Sequence, residues 1–362
     1  MGIIIFVIVV AVLILVHELG HLLAAKRAGV KVDEFGIGFP PKILNLFRWR
    51  GTNFTLNAIP FGGFVKIVGE NPSDEEIPLA EREANFSYKS RPIQAFILAA
   101  GVIFNLLFAW LLISLGFMSG LPMEQGSSKR AVENPVLTII QVLNGSPAEE
   151  AELKAGDVIL SIKDNKNLLE NPNSEEVSDF ITTSEDKVAI TLKRGEEITS
   201  YEVRPEEGIK PDGKAIGISM GLIGTLKLPP HLALWDGART TLSLTKAVAV
   251  GLTKFVVDAF AGRADFSQVA GPVGIVGLVG DASRLGFIFL VQFTAFISIN
   301  LAVINLIPFP ALDGGRLLFT LIEALKGSRI SPKIVNSLNL FGFLFLIALM
   351  VLVTVNDISR LF

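Results

Sequence analysis

The sequence predicts a polytopic α-helical membrane protein with four transmembrane helices, a membrane-associated β-hairpin and an inserted extracytoplasmic α+β module. Three observations predict it. Half of the 362 residues are hydrophobic and only 19% are charged, with a mean hydropathy of +0.54, well away from the balance of a soluble domain. Apolar stretches at about 2–25, 93–118, 285–307 and 338–355 approach or reach the roughly 20 residues that cross a hydrocarbon core. Between the second and third lies a long acidic segment with β-branched alternation.

The first stretch carries no charged residue from Gly2 to Val16. It has neither a basic leading region nor a small-residue cleavage pattern, so it reads as a retained span rather than a signal peptide. The loop that follows holds ten Lys/Arg, several of them crowding the helix ends at Lys26, Arg27, Lys89 and Arg91. The positive-inside bias places that loop in the cytoplasm. Within it "TNFTLNAIPFGGFVKIVGE", residues 52–70, alternates like a β-hairpin with a turn or bend at Gly62-Gly63. The edge of such a hairpin can pair with an unwound chain, which makes Gly62, Gly63 and Phe64 candidate substrate-binding residues.

The segment from Gly120 to Leu234 has 19 acidic against 12 basic residues and, by parity, is extracytoplasmic. "VLTIIQV", "DVILSIKD" and "KVAITLKRGEEITSYEVRP" read as strands of an α+β module over residues 128–215. From Trp235 to Phe260, the residues Asp236, Arg239, Ser243, Lys246, Lys254 and Asp258 recur at helical spacing. That pattern describes an amphipathic helix lying along an interface better than a span. The division is therefore an N-terminal membrane core 1–127, the module 128–215, a linker with interfacial helix 216–284, and a C-terminal membrane core 285–362. A net charge of −3 does not suggest nucleic acid, and with no cysteine both disulfides and thiolate metal ligands are excluded.

"VHELGH", residues 16–21, interrupts the first span. On a helix, His17 and His21 stand at i and i+4, one turn apart on one face, where both reach a single Zn²⁺ while Glu18 is placed as general base. The chain has only three histidines, and two fall in this pattern. Ionisable groups at membrane depth are costly unless paired, which marks the cluster as functional. A catalytic zinc site has three protein ligands, so a third is needed. The remaining histidine, His231, lies beside prolines at the end of the acidic segment and reads as a surface residue. Asp313 in "NLIPFPALDGG" is the only acidic residue between Asp281 and Glu323. Pro308 and Pro310 force the preceding helix to unwind, which near membrane depth is tolerated only against protein or water. The alternative for Asp313 is to cap a helix beginning near Gly314.

"HELGH" in the first span, "NLIPFPALDGG" ending a later one, "FGIGFPPKI", "PFGGFVKIVGE", "AAGVIFNLLFA" and "GPVGIVG" together resemble the site-2 protease family of intramembrane zinc metalloproteases, its bacterial RseP-type branch in particular. "NGSPAEEAELKAGDVILSIKD" resembles the signature of a PDZ domain, a fold that binds extended peptides by strand addition. The resemblance implies His17, His21 and Asp313 as zinc ligands, Glu18 as general base and Asn305 as a substrate-binding side chain. It also implies regulated cleavage of transmembrane substrates, such as anti-sigma factors or remnant signal peptides, in the inner membrane. Two departures stand out. Many members have Gly-Pro where this chain has Gly101-Val102, and several carry two tandem PDZ domains where this segment has room for one.

Topology supplies a check. His17 lies roughly 21 Å of helix rise from the start of the first span, in the cytoplasmic half. Asp313 reaches that side only if residues 235–260 do not cross, which gives four spans with both termini outside. Two rival functions remain. A catalytically silent scaffold working through its PDZ-like domain would have no reason to keep Glu18, and a metal transporter would need a polar path that the other spans lack.

Overall fold

The computed structural model describes residues 2–70, 78–126, 130–210, 213–263 and 270–359. In chain order come α1 (Gly2–Arg27), β1 (Val32–Trp49), β2 (Thr52–Ile67), α2 (Leu79–Arg82), α3 (Arg91–Ser119), β3 (Leu121–Glu124), β4 (Glu133–Val142), α4 (Pro147–Glu150), β5 (Val158–Lys163) and β6 (Leu168–Glu170). Then follow α5 (Ser174–Thr183), β7 (Val188–Arg194), β8 (Glu197–Val203), β9 (Ile218–Leu226), α6 (Pro230–Phe260), α7 (Pro272–Leu285), α8 (Phe287–Leu306), α9 (Asp313–Lys326) and α10 (Pro332–Ser359). The chain divides into two compact units, one of Met1–Ser114 with Leu234–Phe362, the other Leu115–Ala233.

In the first unit, α1, α3, α8 and α10 are long and apolar enough to cross a membrane, and so is α6, a fifth helix that the charge pattern had set aside. Up to Val16 α1 is apolar on every face, as befits a helix surrounded by lipid and protein rather than water, and it ends in Lys26 and Arg27, which complement its dipole. It crosses α3 closely because Gly20 has no Cβ to meet the Ala100 carbonyl. α8 stops at Leu306, just before Pro308 and Pro310, which lack the N–H a helix needs. The chain then turns through Ala311, held at φ 73°, where its N–H donates to Asn339 Oδ1 at 3.2 Å. α9 resumes at Asp313 and ends at Gly327, whose φ of 75° makes a left-handed cap. α7 was not legible as a separate helix. Its first turn donates from Gly271 and Gly274 N–H to the Asp357 carboxylate near the end of α10, at 3.1 and 2.8 Å, a negative group at a helix N-terminus.

The hairpin is larger than residues 52–70. β1 and β2 are long bent strands joined at Arg50-Gly51, with φ 45° and 82°, the two positive values of a type I′ turn. Residues 34–37 pair with 63–66 on one side and with 53–56 on the other, and 42–49 pair with 52–57. Gly62-Gly63 is thus a bend inside β2, with Gly62 at φ 105°, and not a hairpin turn. Among the described residues, 63–67 pair on one side only, at the edge of this sheet.

The second unit is a seven-stranded sheet in the order β3-β9-β4-β5-β7-β8, with β6 on β5. Its core is a cluster including Ile139, Ile162, Val177, Val188, Ile190 and Ile216, all buried. Asn173 and Glu176 form a reciprocal capping box that starts α5. The unit is wider than residues 128–215, because β3 and β9 complete the sheet from beyond both limits. Residues 128 and 129 themselves lie outside the described residues.

Candidate metal centre

α1 places His17 and His21 one turn apart, both buried. The break after α8 delivers Asp313 to the same point. Asp313 Oδ2 lies 2.9 Å from His17 Nε2 and 3.3 Å from His21 Nε2, and the two Nε2 atoms are 3.2 Å apart. A tetrahedral zinc with bonds of about 2.0–2.1 Å has ligand–ligand edges of about 3.3 Å. The donor triangle therefore fits zinc in both chemistry and size. Asp313 does not cap α9, whose N-cap residue is Leu312 without a side-chain cap. Burial would lift the Asp313 carboxyl, yet the two imidazoles hydrogen-bonded to it hold it well below the usual carboxylate range.

α3 backs the imidazoles. The Nδ1 atom of His21 meets the Ile97 carbonyl at 2.8 Å, and that of His17 meets the Asn105 amide at 3.2 Å. Gly101, one turn before Asn105, leaves room for both rings, since a Cβ there would stand 2.7 Å from His17 Nε2. Glu18 is half-buried on the same turn of α1 as His17, close enough to Asp313 and Glu70 for their charges to act on it.

Around this point the other candidates separate. Asn305 sits in the last turn of α8, half-buried, and its side chain has no hydrogen-bond partner among the described residues. Gly62 and Gly63 are packed against Ile14 and Leu15 of α1, and the Phe64 ring covers Gly36. His231 is exposed at the start of α6 and belongs to no described ligand group. In the sequence Gly101 stood out only as a departure from Gly-Pro, and Asn105 only as part of a family-like stretch; neither carried a role at the site, and a small and a polar residue four apart in an apolar helix were the available signal. Sequence reasoning missed the ion pairs Glu70–Arg316 and Arg91–Glu323, which tie α9 to the end of β2 and the start of α3. Those pairs join distant residues and left no local signal.

Two helical histidines, a glutamate between them and a carboxylate from a broken helix, set in apolar spans, define the class of membrane-embedded metalloproteases. Peptidase family M50 matches residues 5–349. A zinc metalloprotease of Nostoc is 36% identical over 98% of this chain and 94% of its own length. The regulator of sigma-W protease RasP of Bacillus subtilis is 31% identical over 99% of this chain and 98% of its own, and a zinc metalloprotease of Helicobacter pylori is 33% identical over 99% of each. Among solved structures, the PDZ domain of an SdrC-like protein of Listeria monocytogenes aligns at 26% identity over 25% of this chain and 93% of that domain, with a TM-score of 0.21.

The chain belongs to peptidase family M50, the site-2 proteases. It is an intramembrane zinc metalloprotease and a multi-pass membrane protein. The scaffold and transporter alternatives fall with that membership.

Proposed function

We propose that His17, His21 and Asp313 hold the zinc, that Glu18 is the general base, and that the enzyme cuts transmembrane segments of anti-sigma factors or remnant signal peptides. The observation that carries the site is the donor triangle of 2.9, 3.2 and 3.3 Å drawn from two distant elements. Zinc held there supplies Lewis acidity toward a scissile carbonyl and water. Glu18 takes the proton of the attacking water and later delivers it to the leaving amine.

A substrate helix must first give up its internal hydrogen bonds, which in lipid costs several kcal/mol per group (on the order of 2–7) unless replaced. The edge segment 63–67 supports such replacement, because one side of it is unpaired among the described residues and Gly63 lies against Leu15 of α1, two residues before His17. Gly62 and Gly63 bend that edge along α1, and Phe64 lies on it. Asn305, with no partner of its own among the described residues, supports a role in holding an extended backbone. The sigma-W regulator among the relatives supports a substrate linked to a sigma factor.

Topology follows the same reading: four spans in the inner membrane, both termini and the sheet unit extracytoplasmic. In support, Gly2 packs on Gly280 of α7 and the start of α7 binds Asp357 at the end of α10. These contacts support a reading in which the start of α1, the end of α10 and α7 share one side. A crossing α6 would end on the other side, which favours α6 lying along the interface. In the sheet unit, β3 pairs with residues 223–226 of β9 and Gln125 N–H reaches the Leu222 carbonyl, which among the described residues leaves 218–221 as an open edge beside Ser178 and Ile181 of α5. That groove supports a PDZ-like domain that takes an extended peptide and discriminates among substrates.

Glu18→Gln tests the assignment. Zinc content stays at the wild-type level while cleavage of a membrane-spanning substrate in proteoliposomes is lost; persistent cleavage removes Glu18 as the base.

A further inference from the structure

We infer that Asn105 is a positioning residue, whose side-chain amide holds His17 in the tautomer that presents Nε2 to the metal. The inference rests on the assignment of His17 and Asp313 as ligands. His17 Nε2 is the ring atom aimed at the centre, 2.9 Å from Asp313 Oδ2 and 3.2 Å from His21 Nε2. With that nitrogen committed, the ring proton resides on Nδ1, a buried donor that needs an acceptor.

His21 meets the same requirement through the Ile97 carbonyl of α3, at 2.8 Å. For His17, the group in the equivalent place is Asn105, two turns further along α3. Its amide nitrogen lies 3.2 Å from Nδ1, the residue is completely buried, and its Oδ1 has no hydrogen-bond partner among the described residues. The terminal torsion of an asparagine is soft and roughly two-fold, so the amide presents either end in the same space. Only Oδ1 accepts from Nδ1–H, and presenting it satisfies two buried polar atoms together.

The rest of the site keeps the amide in reach. The Asn105 carbonyl accepts from Ser298 Oγ of α8 at 2.8 Å, which fixes the backbone from which the side chain projects. Gly101 on the same face lets α3 come close enough for the contact. Packing alone would be served equally by a leucine of similar size. A carboxylate at this position would accept the same proton more strongly.

The test uses the full chain in nanodiscs. Zinc affinity is measured by chelator competition for wild type, Asn105→Leu, Asn105→Asp and His17→Gln, alongside ¹⁵N-histidine spectra of the zinc-loaded wild type, simple to assign in a chain with three histidines. Asn105→Leu should weaken zinc by about 10–100-fold, Asn105→Asp should bind at least as tightly as wild type, and the His17 signal should show a protonated Nδ1. Wild-type affinity in Asn105→Leu, a large loss in Asn105→Asp, or ligation through Nδ1 overturns the inference. If Asn105→Leu does not fold, Asn105→Asp and the wild-type spectrum still decide it. If His17→Gln binds zinc like wild type, the ligand assignment itself fails; if it loses zinc while Asn105→Leu does not, only the role of Asn105 falls.

Discussion

Nε2 of His17 stands 2.9 Å from a carboxylate oxygen of Asp313, across 296 positions of sequence. Neither residue is placed by its own helix alone. Close crossing of α1 on α3 sets the histidines, and the proline break after α8, the left-handed Ala311 and the start of α9 set the carboxylate. A non-glycine residue at φ 73° costs on the order of 1–3 kcal/mol and persists only where its surroundings enforce it. Here the Asn339 side chain does so, two residues before Asp313.

The glycines after Asp313 are steric requirements. A Cβ on Gly314 would run into the Leu306 and Ile307 carbonyls, and one on Gly315 into the Phe309 carbonyl. Gly314→Ala should cost about 1–3 kcal/mol of overpacking and displace Asp313, so zinc retained after dialysis falls together with the melting temperature. Gly251→Ala, in open space on α6, is the control and should leave both unchanged. Full zinc retention in Gly314→Ala would show that Asp313 does not need this backbone path.

Arg316 lies one turn after Asp313 and pairs with Glu70 at the end of β2, both side chains mostly sheltered from solvent. Arg316→Met leaves Glu70 unpaired near Glu18 and should cost about 1.5–3 kcal/mol, read as a lower melting temperature and faster zinc loss to a chelator. Adding Glu70→Gln should recover part of the deficit, since the two effects are coupled. Strict additivity of the two substitutions would mean the pair is incidental.

HExxH was legible because a helix maps i and i+4 onto one face, and Asp313 because it is the only carboxylate in a long apolar stretch. The end of α8 followed from two prolines. The hairpin was misplaced because its turn uses Arg50 at φ 45°, a residue with no turn signature, while the bend at Gly62-Gly63 imitates one. The sheet unit was cut short because β3 and β9 pair with each other across 99 to 105 positions of chain (Glu124↔Ile223 to Leu121↔Leu226), which no local pattern reveals. Asn105 was passed over as one polar residue in an apolar span.

In the sheet unit, Asp157 is almost fully buried and receives Arg194 through Nε and Nη2 at 2.6 and 2.7 Å, and the Lys154 N–H at 2.9 Å. Asp157→Asn keeps the shape but loses the charge and one acceptor. In residues 120–228 excised as a separate domain, urea unfolding should show a loss of about 1.5–3 kcal/mol. An unchanged midpoint would mean that the pair contributes nothing net.

The most direct measurement is zinc X-ray absorption on the purified enzyme, wild type against Asp313→Asn. Two imidazole nitrogens with oxygen making up the rest of the shell, at about 2.0–2.2 Å, are expected, with zinc largely lost on substituting Asp313. Zinc retained in Asp313→Asn with an unaltered coordination shell would contradict Asp313 as a ligand.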